Sequence, residues 1–455
     1  MLYTLKTLTL RGEVMGDYFH SVTLDEEKCR GCTNCIKRCP TEAIRVRNGK
    51  ARIIKERCID CGECISICPY HAKKAITDDM SIINGFKYKI VIPAPTLYSQ
   101  YKSTYSLNRL LNAFKLIGFD DVYEVARAAE FVSDTTQKLL TGGKLKKPLI
   151  SSACPAVVRL IQVRFPNLID NIVKVESPME VAGKIAKKKA AQETGLDPSD
   201  IGVFFVTPCA AKVTSVKAPY EKRESSVDGV ISMKDIYLKL LSRLDHAEET
   251  EQYVQSGFKG IRWANSGGEG LALDTDKFLA VDGIHNVITI LEAVENDKLE
   301  DVDFIEALSC TGGCLGGPLT VENVYVAKTR LKKHIDEAKK THIEKDNDYN
   351  EDDIMWTKDI VYKPIMKLDA DIEKAMKKLE DLEKINDDLP GLDCGACGAP
   401  SCRALAEDIV RGNAKETDCI FKLREKVRSL ATQMIGLEDK IVSEINNETD
   451  QDKSK

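Results

Sequence analysis

Apolar residues in this chain come in two patterns. In the middle they form short continuous runs, in KYKIVIPAP (87–95), IGVFFVTPCAAK (201–212) and VDFIEALSCTGGCLGGP (302–318). Runs of that length, bounded by proline and glycine, predict buried strands that end in loops. Segments 106–117, 178–193 and 233–243 have helical spacing and suit right-handed crossovers. The expected fold is therefore α/β, with ligand loops beyond the carboxyl ends of the strands. Near the end, Leu423, Val427, Leu430, Met434, Leu437 and Ile441 recur at 4-3-4-3-4 spacing, an a/d seam of about three heptads. Leu368, Ile372, Ala375, Leu379 and Leu382 recur the same way. Such helices either pack on each other or on the main body, which is the expectation, or form a dimerising or partner-docking coiled coil. Residues 340–356 are charged and aperiodic and read as a linker. The opening MLYTLKTLTLRGEV alternates like a strand and lacks the apolar centre of a signal peptide.

Bulk properties narrow the function classes. The 455 residues leave room for about two to four domains. Basic and acidic side chains nearly balance, 66 against 71 for a net charge of −5, which leaves no electrostatic footprint for nucleic acid. No apolar run approaches the ~20 residues that a membrane helix needs. A cytoplasmic protein with no membrane partner is the expectation. In that compartment thiols stay reduced, so 16 cysteines predict metal sites and not disulfides.

Eight of those cysteines fall in CRGCTNCIKRCP (29–40) and CIDCGECISICP (58–69), two copies of C-x2-C-x2-C-x3-C-P. This is the bacterial two-cluster ferredoxin pattern, in which the fourth cysteine of each run ligates the other cluster. Cys29, Cys32, Cys35 and Cys68 should hold one 4Fe–4S cluster, and Cys58, Cys61, Cys64 and Cys39 the other. Two zinc knuckles are the alternative for the same count. DCGACGAPSCRALAEDIVRGNAKETDCIF (393–421) adds Cys394, Cys397, Cys402 and Cys419, with a helix from Ala404 to Arg411 between the last two. Zinc fits that spacing as well as iron does, but the stretch resembles the small 4Fe–4S domain of certain redox-complex subunits and corrinoid iron–sulfur proteins. A third cubane is expected there. The histidines are scattered, and the glycines Gly391, Gly395 and Gly398 follow no strand, so neither a nicotinamide nor a flavin site is expected.

Four cysteines remain: Cys154, Cys209, Cys310 and Cys314, each just past an apolar run. Here the chain resembles the FeFe-hydrogenases. Ser151-Ser152-Ala153-Cys154-Pro155 stands where that family has Thr-Ser-Cys-Cys-Pro. Pro208-Cys209-Ala210-Ala211-Lys212 matches its Pro-Cys-x-x-Lys, and Cys310-Thr311-Gly312-Gly313-Cys314 its Cys-Pro-Gly-Gly-Cys. KVESPMEVAGK (174–184), VDGVISMKD (227–235) and DFIEALSC (303–310) agree as well, so the resemblance spans about residues 25–330. It implies an H-cluster: a 4Fe–4S cube on Cys154, Cys209, Cys310 and Cys314, with Cys314 shared with a diiron unit carrying CO, cyanide and a dithiolate. Lys212 would donate to a cyanide. Ala94, Pro95, Trp263, Ala264 and Leu308 would line the diiron pocket.

The chain departs from that family at its proton relay. Ala153 replaces the cysteine that passes a proton to the dithiolate amine, and a methyl group cannot do so. Ala128-Ala129-Glu130 stands for Ala-Ala-Asp and is followed by Thr135, Thr136 and Gln137, while Leu308 and Thr207 stand where methionines are usual. Glu130, Glu269 and Glu306 are candidates for another route. These departures resemble the divergent, sensory branch of the family. The expected activity is reversible H2 activation, slow and in a sensing or regulatory role. A non-enzymatic iron–sulfur protein, either an assembly factor or an electron-transfer adaptor with cubanes only, is the alternative.

The partners implied are H2 and protons, a ferredoxin-like or other redox protein, the hydrogenase maturation proteins, and a homodimer or signalling partner through the C-terminal helices. The expected organisation is a strand segment (1–20), a ferredoxin domain (21–80), a two-lobed H-cluster domain (85–338), a linker (339–365), a helix (366–389), a 4Fe–4S domain (390–422), and a coiled-coil-like helix with a polar tail (423–455).

Overall fold

Four short strands frame the two N-terminal cysteine runs. β1 (Val22–Leu24) pairs antiparallel with β4 (Lys73–Ala75), and β2 (Ile44–Arg47) with β3 (Lys50–Ile53). Each run contributes one helical turn, Asn34–Lys37 and Glu63–Ser66. Pro40 and Pro69 follow closely, where proline cannot extend a helix. The structure is a computed structural model that describes residues 19–143, 145–341, 349–365 and 367–452, with side chains as far as residue 441. It divides into two units: Val22–Ala75 with Arg159–Pro166 and Tyr362–Lys455, and the remainder up to Val361.

In the first unit the C-terminal segment packs against the ferredoxin strands. Helices Ile372–Asp388 and Cys402–Val410 share an apolar cluster of Leu382, Leu389, Ala399, Leu405 and Cys419. Asp408 accepts from Arg45 Nε at 2.7 Å and Arg47 Nη2 at 2.8 Å, and buried Arg57 pairs with Glu407. Val46 N donates to Gly398 O at 2.8 Å. Gly398 has φ +80°, and a Cβ there would lie 1.9 Å from the Val46 carbonyl oxygen, so only glycine fits.

The second unit holds two parallel sheets. One runs β6-β5-β8-β9, built from β5 (Tyr88–Pro93), β6 (Asp121–Val122), β8 (Ile201–Thr207) and β9 (Gly229–Ser232). The other runs β10-β11-β7, with β7 (Leu149–Ile150), β10 (Phe278–Asp282) and β11 (Phe304–Leu308). The central strands β5 and β8 are buried on both faces, as their continuous apolar sequence requires. Crossovers within a sheet run through Leu107–Asn112, Ala210–Lys217 and Ile284–Glu295, whereas Val125–Thr141 and the helices expected as crossovers, Pro178–Thr194 and Met233–Leu244, pass from one sheet to the other. Pro178 opens its helix and Gly195, at φ +69°, closes it. Cys154 follows β7, Cys209 follows β8, and Cys310 and Cys314 follow β11.

Several sequence expectations need correction. The segment read as a linker is partly integrated: Ile354 is buried, Tyr349 stacks on Phe131, and Trp356 Nε1 donates to Val175 O at 2.8 Å. Its apolar residues are too few to show a period, so sequence pattern alone missed them. The strand expected at 1–20 lies almost wholly outside the described residues. The C-terminal helix is continuous over Ile420–Asp452, which takes in most of the expected polar tail. Its seam does not pack on the body, since Leu423, Val427, Leu430, Met434, Leu437 and Ile441 are all exposed. On Ile372–Asp388 only the later positions are covered: Leu382 is buried, whereas Ile372 and Leu379 are exposed.

Candidate metal centres

The two cysteine runs line two small cavities. Cys29, Cys32, Cys35 and Cys68 line the first, together with Lys73. Cys39, Cys58, Cys61 and Cys64 line the second, together with Ile44. Backbone amides point at the sulfurs: Ala43 N donates to Cys39 Sγ at 3.2 Å, and Ala72 N to Cys68 Sγ at 3.3 Å. Burial pushes the thiols of Cys35, Cys39 and Cys58 up, and that of Cys64 up to about 12. Sulfurs so disfavoured as bare thiolates become stable anions when a metal supplies the positive charge. The converse also holds. The Lys73 ammonium is buried, with its Nζ unpartnered among the described residues, and it faces these sulfurs. An anionic iron–sulfur group fits that orphaned cation.

The C-terminal four converge in the same unit. Cys402 opens the helix Cys402–Val410, and its N–H donates to Asp393 Oδ1 at 2.6 Å. Burial, then Cys419 and Cys394, pushes the Cys397 thiol up against the pull of the nearby Arg47. Arg47 Nη1 donates to Cys397 O at 2.7 Å.

In the other unit, three loops meet at the carboxyl ends of β7, β8 and β11. Gly313 has φ +76°, and a Cβ on it would sit 2.6 Å from Ser266 N, so the 310–317 turn lies directly on the loop carrying Trp263 and Ala264. Leu319 N donates to Pro208 O at 3.0 Å and ties that turn to the Cys209 loop. The turn Pro95–Ser99, which follows Ala94, packs on both Arg262–Ala264 and Gly313–Gly316. Ala94, Pro95, Ala264 and Leu308 are buried there, and Trp263 is half-buried with its Nε1 donating to Ser133 Oγ at 3.0 Å. Burial and the neighbouring Cys154 raise the Cys209 thiol to about 11, while burial, Cys209 and Cys154 raise Cys314 to about 12.

Lys212 lies one turn into the helix that Cys209 caps. Its half-buried ammonium makes no hydrogen bond or ion pair among the described residues, yet its charge acts on Cys209, Cys314, Glu221 and Glu269. A free cation beside buried thiols fits a group bearing anionic ligands.

Beside Cys154 lies a polar chain through Ser151, a residue that no sequence pattern singles out. Its hydroxyl donates to Glu269 Oε2 at 2.6 Å and accepts from Ala153 N at 3.1 Å. Glu306 accepts from Gly267 N and Gly270 N, both at 2.9 Å. Burial, then the Glu306 charge, holds Glu269 well above the ordinary carboxylate range, and burial raises Glu306 too. Glu130 is placed elsewhere: it pairs with Arg127 at 3.1 Å and accepts from Gly260 N at 3.3 Å.

Comparison with known proteins identifies three families along the chain. The family profile described as iron only hydrogenase large subunit, C-terminal domain, matches residues 87–268 and 239–318. A 4Fe-4S dicluster domain matches 21–69, and an Fe-S cluster family matches 389–421. The chain is 22% identical to iron hydrogenase 1 of Clostridium pasteurianum, over 70% of this chain and 69% of that one. It is 25% identical to the periplasmic [Fe] hydrogenase large subunit of Nitratidesulfovibrio vulgaris, over 69% and 90%. It is also 24% identical to the cytosolic Fe-S cluster assembly factor oxy-4 of Caenorhabditis elegans, over 51% and 62%. By its cysteine loops, its fold and this match, the chain belongs to the iron-only hydrogenase large-subunit family.

Proposed function

We propose that this protein assembles an H-cluster and reversibly activates H2 (2H⁺ + 2e⁻ = H2) at low turnover, in an H2-sensing or regulatory role. One observation carries the reading: a Lys212 ammonium, unpaired among the described residues, beside the converging Cys154, Cys209 and Cys314 thiols. Cys154, Cys209, Cys310 and Cys314 would ligate a cubane, with Cys314 shared with the diiron unit. When bound, that unit supplies the metal site at which H2 is split. Lys212 would orient its cyanide, and Ala94, Pro95, Trp263, Ala264 and Leu308 would exclude water from it. Electrons would pass to a ferredoxin-like or other redox partner through the remaining cubanes.

The low turnover follows from Ala153. Its methyl group holds no proton, so delivery would fall to Glu269 and Glu306, with Ser151 linking Glu269 to the Ala153 backbone. Ala153→Cys restores a thiol at this position. Because a positioned acid or base contributes roughly 10²–10⁴-fold, H2 evolution should rise by at least about tenfold. An unchanged rate at full cluster loading contradicts the proton-delivery account.

The second reading, a non-enzymatic protein with cubanes only, is favoured by the same Ala153 and by the likeness to an assembly factor. The full eight-cysteine ferredoxin and Lys212 stand against it.

The exposed C-terminal seam belongs to the signalling side of this reading, and its proposed occupant is a second copy of the chain. The a positions hold Val427, Met434 and Ile441, and the d positions Leu423, Leu430 and Leu437. β-Branched residues at a, here Val427 and Ile441 though not Met434, with leucine at d favour parallel two-stranded coils. In that register Lys426 faces the partner's Ala431 and Gln433 faces the partner's Glu438, so no like charges meet. Sedimentation should give a dimer for the full chain and a monomer for Leu430→Asp combined with Leu437→Asp, at equal iron content. A monomeric wild-type chain contradicts this.

A further inference from the structure

The two ferredoxin runs are an internal repeat, so one copy serves as a control for the other. Cys29, Cys32, Cys35, Cys39 and Pro40 correspond to Cys58, Cys61, Cys64, Cys68 and Pro69. Beyond them, Ala43 corresponds to Ala72, and each amide bonds the fourth sulfur of its own run. The next position breaks the symmetry. Ile44 and Lys73 both lie five residues after the fourth cysteine, and both are buried, at 2% and 3% exposure. Ile44 lines the cavity of Cys39, Cys58, Cys61 and Cys64. Lys73 lines the cavity of Cys29, Cys32, Cys35 and Cys68, and its ammonium has no partner among the described residues. Isoleucine is an ordinary core residue, whereas a lysine buried without a counter-ion carries a large desolvation cost. Its charge needs a use at that site.

A second asymmetry has the opposite sign. Gly31 and Asp60 occupy equivalent positions in the two runs. Asp60 is 1% exposed, accepts from Val22 N at 3.0 Å, and lies 3.6 Å from Cys58 Sγ. Its charge disfavours the Cys58 and Cys64 thiolates of the second cavity. Lys73 also reaches Cys64, where it acts more strongly than Asp60, which opposes it. The first cavity thus has the buried cation in its wall, whereas the second feels that cation together with a buried anion.

We infer that this paired substitution, Lys73 in one repeat and Asp60 in the other, sets the two ferredoxin clusters at different reduction potentials. The inference rests on both runs holding 4Fe–4S clusters. Each cluster takes up one electron without forming or breaking a bond, so its negative charge grows by one. A neighbouring cation favours that reduced state and a neighbouring anion disfavours it. The cluster of Cys29, Cys32, Cys35 and Cys68 is the higher in potential, and electrons settle there.

The test is a redox titration of the full cubane-loaded chain with dithionite, followed by electron paramagnetic resonance, with iron measured on each sample. Lys73→Ile copies the other repeat and should move the higher ferredoxin midpoint to more negative potential, and the lower one by less, while the cubane midpoints outside the ferredoxin runs hold. Lys73→Met provides a second uncharged side chain of similar length, and Lys73→Arg keeps the charge and should titrate like wild type. Asp60→Asn should move the lower ferredoxin midpoint to more positive potential, so that the gap narrows from either side. Unmoved midpoints in both uncharged Lys73 variants, at full iron, overturn the tuning role. Absence of cubane signals from the wild-type chain instead removes the cluster reading beneath it.

Discussion

Cys314→Ser abolishes H2 turnover and leaves the clusters of the other unit in place. Serine is a harder and far more weakly acidic ligand than a thiol, and soft iron sites select sulfur. Cys314 is buried among the Cys209 and Cys154 sulfurs on a turn held against the Trp263–Ala264 loop, so no other thiol on that turn can replace it. The expected product has no iron-bound CO or cyanide bands and no detectable H2 evolution. The N-terminal eight and C-terminal four cysteines would still hold about twelve iron atoms as three cubanes. Iron analysis and infrared spectra on one sample check both parts. Retained CO and cyanide bands would place the diiron attachment elsewhere.

Glu269→Gln lowers H2 turnover by about 10²-fold or more, within the range of a lost acid–base group. Glutamine keeps the volume and can still accept from Ser151, but it carries no exchangeable carboxyl proton. The neighbouring Glu306 provides a control on mechanism. Its charge helps to hold Glu269 above the ordinary carboxylate range, so Glu306→Gln lets Glu269 ionise at lower pH. The pH profile of turnover should therefore move to acid in Glu306→Gln. The neutral-pH inflection of the pair should disappear in Glu269→Gln. A purely structural role for either residue would change the rate at every pH alike. Wild-type rates in Glu269→Gln would mean that protons reach the site by a path that avoids the Ser151–Glu269 link.

Much of this molecule was legible because its chemistry is local in sequence. The ferredoxin runs place six of their eight ligands within two short loops, and the apolar strands β5, β8 and β11 announce themselves as continuous buried runs. The three loops of the other unit are legible as one site because each of their cysteines follows an apolar strand, and the family resemblance then says which cluster they would hold. The Ser151–Glu269 link stayed hidden, since it joins residues 118 apart in sequence. Lys73 was passed over because a lysine in a short polar strand looks solvent-facing, and only its equivalence to Ile44 exposes the anomaly. The C-terminal seam was read correctly as a heptad pattern but assigned the wrong surroundings. Period reports which face is apolar, not what covers it.

The central claim is the diiron unit. An infrared spectrum of the full chain, produced together with hydrogenase maturation proteins and recorded before and after H2 is admitted, tests it most directly. The account predicts sharp bands from iron-bound CO and cyanide that shift under H2. A chain carrying about sixteen iron atoms as four cubanes, with no such bands after maturation, would contradict it and leave a non-enzymatic iron–sulfur protein.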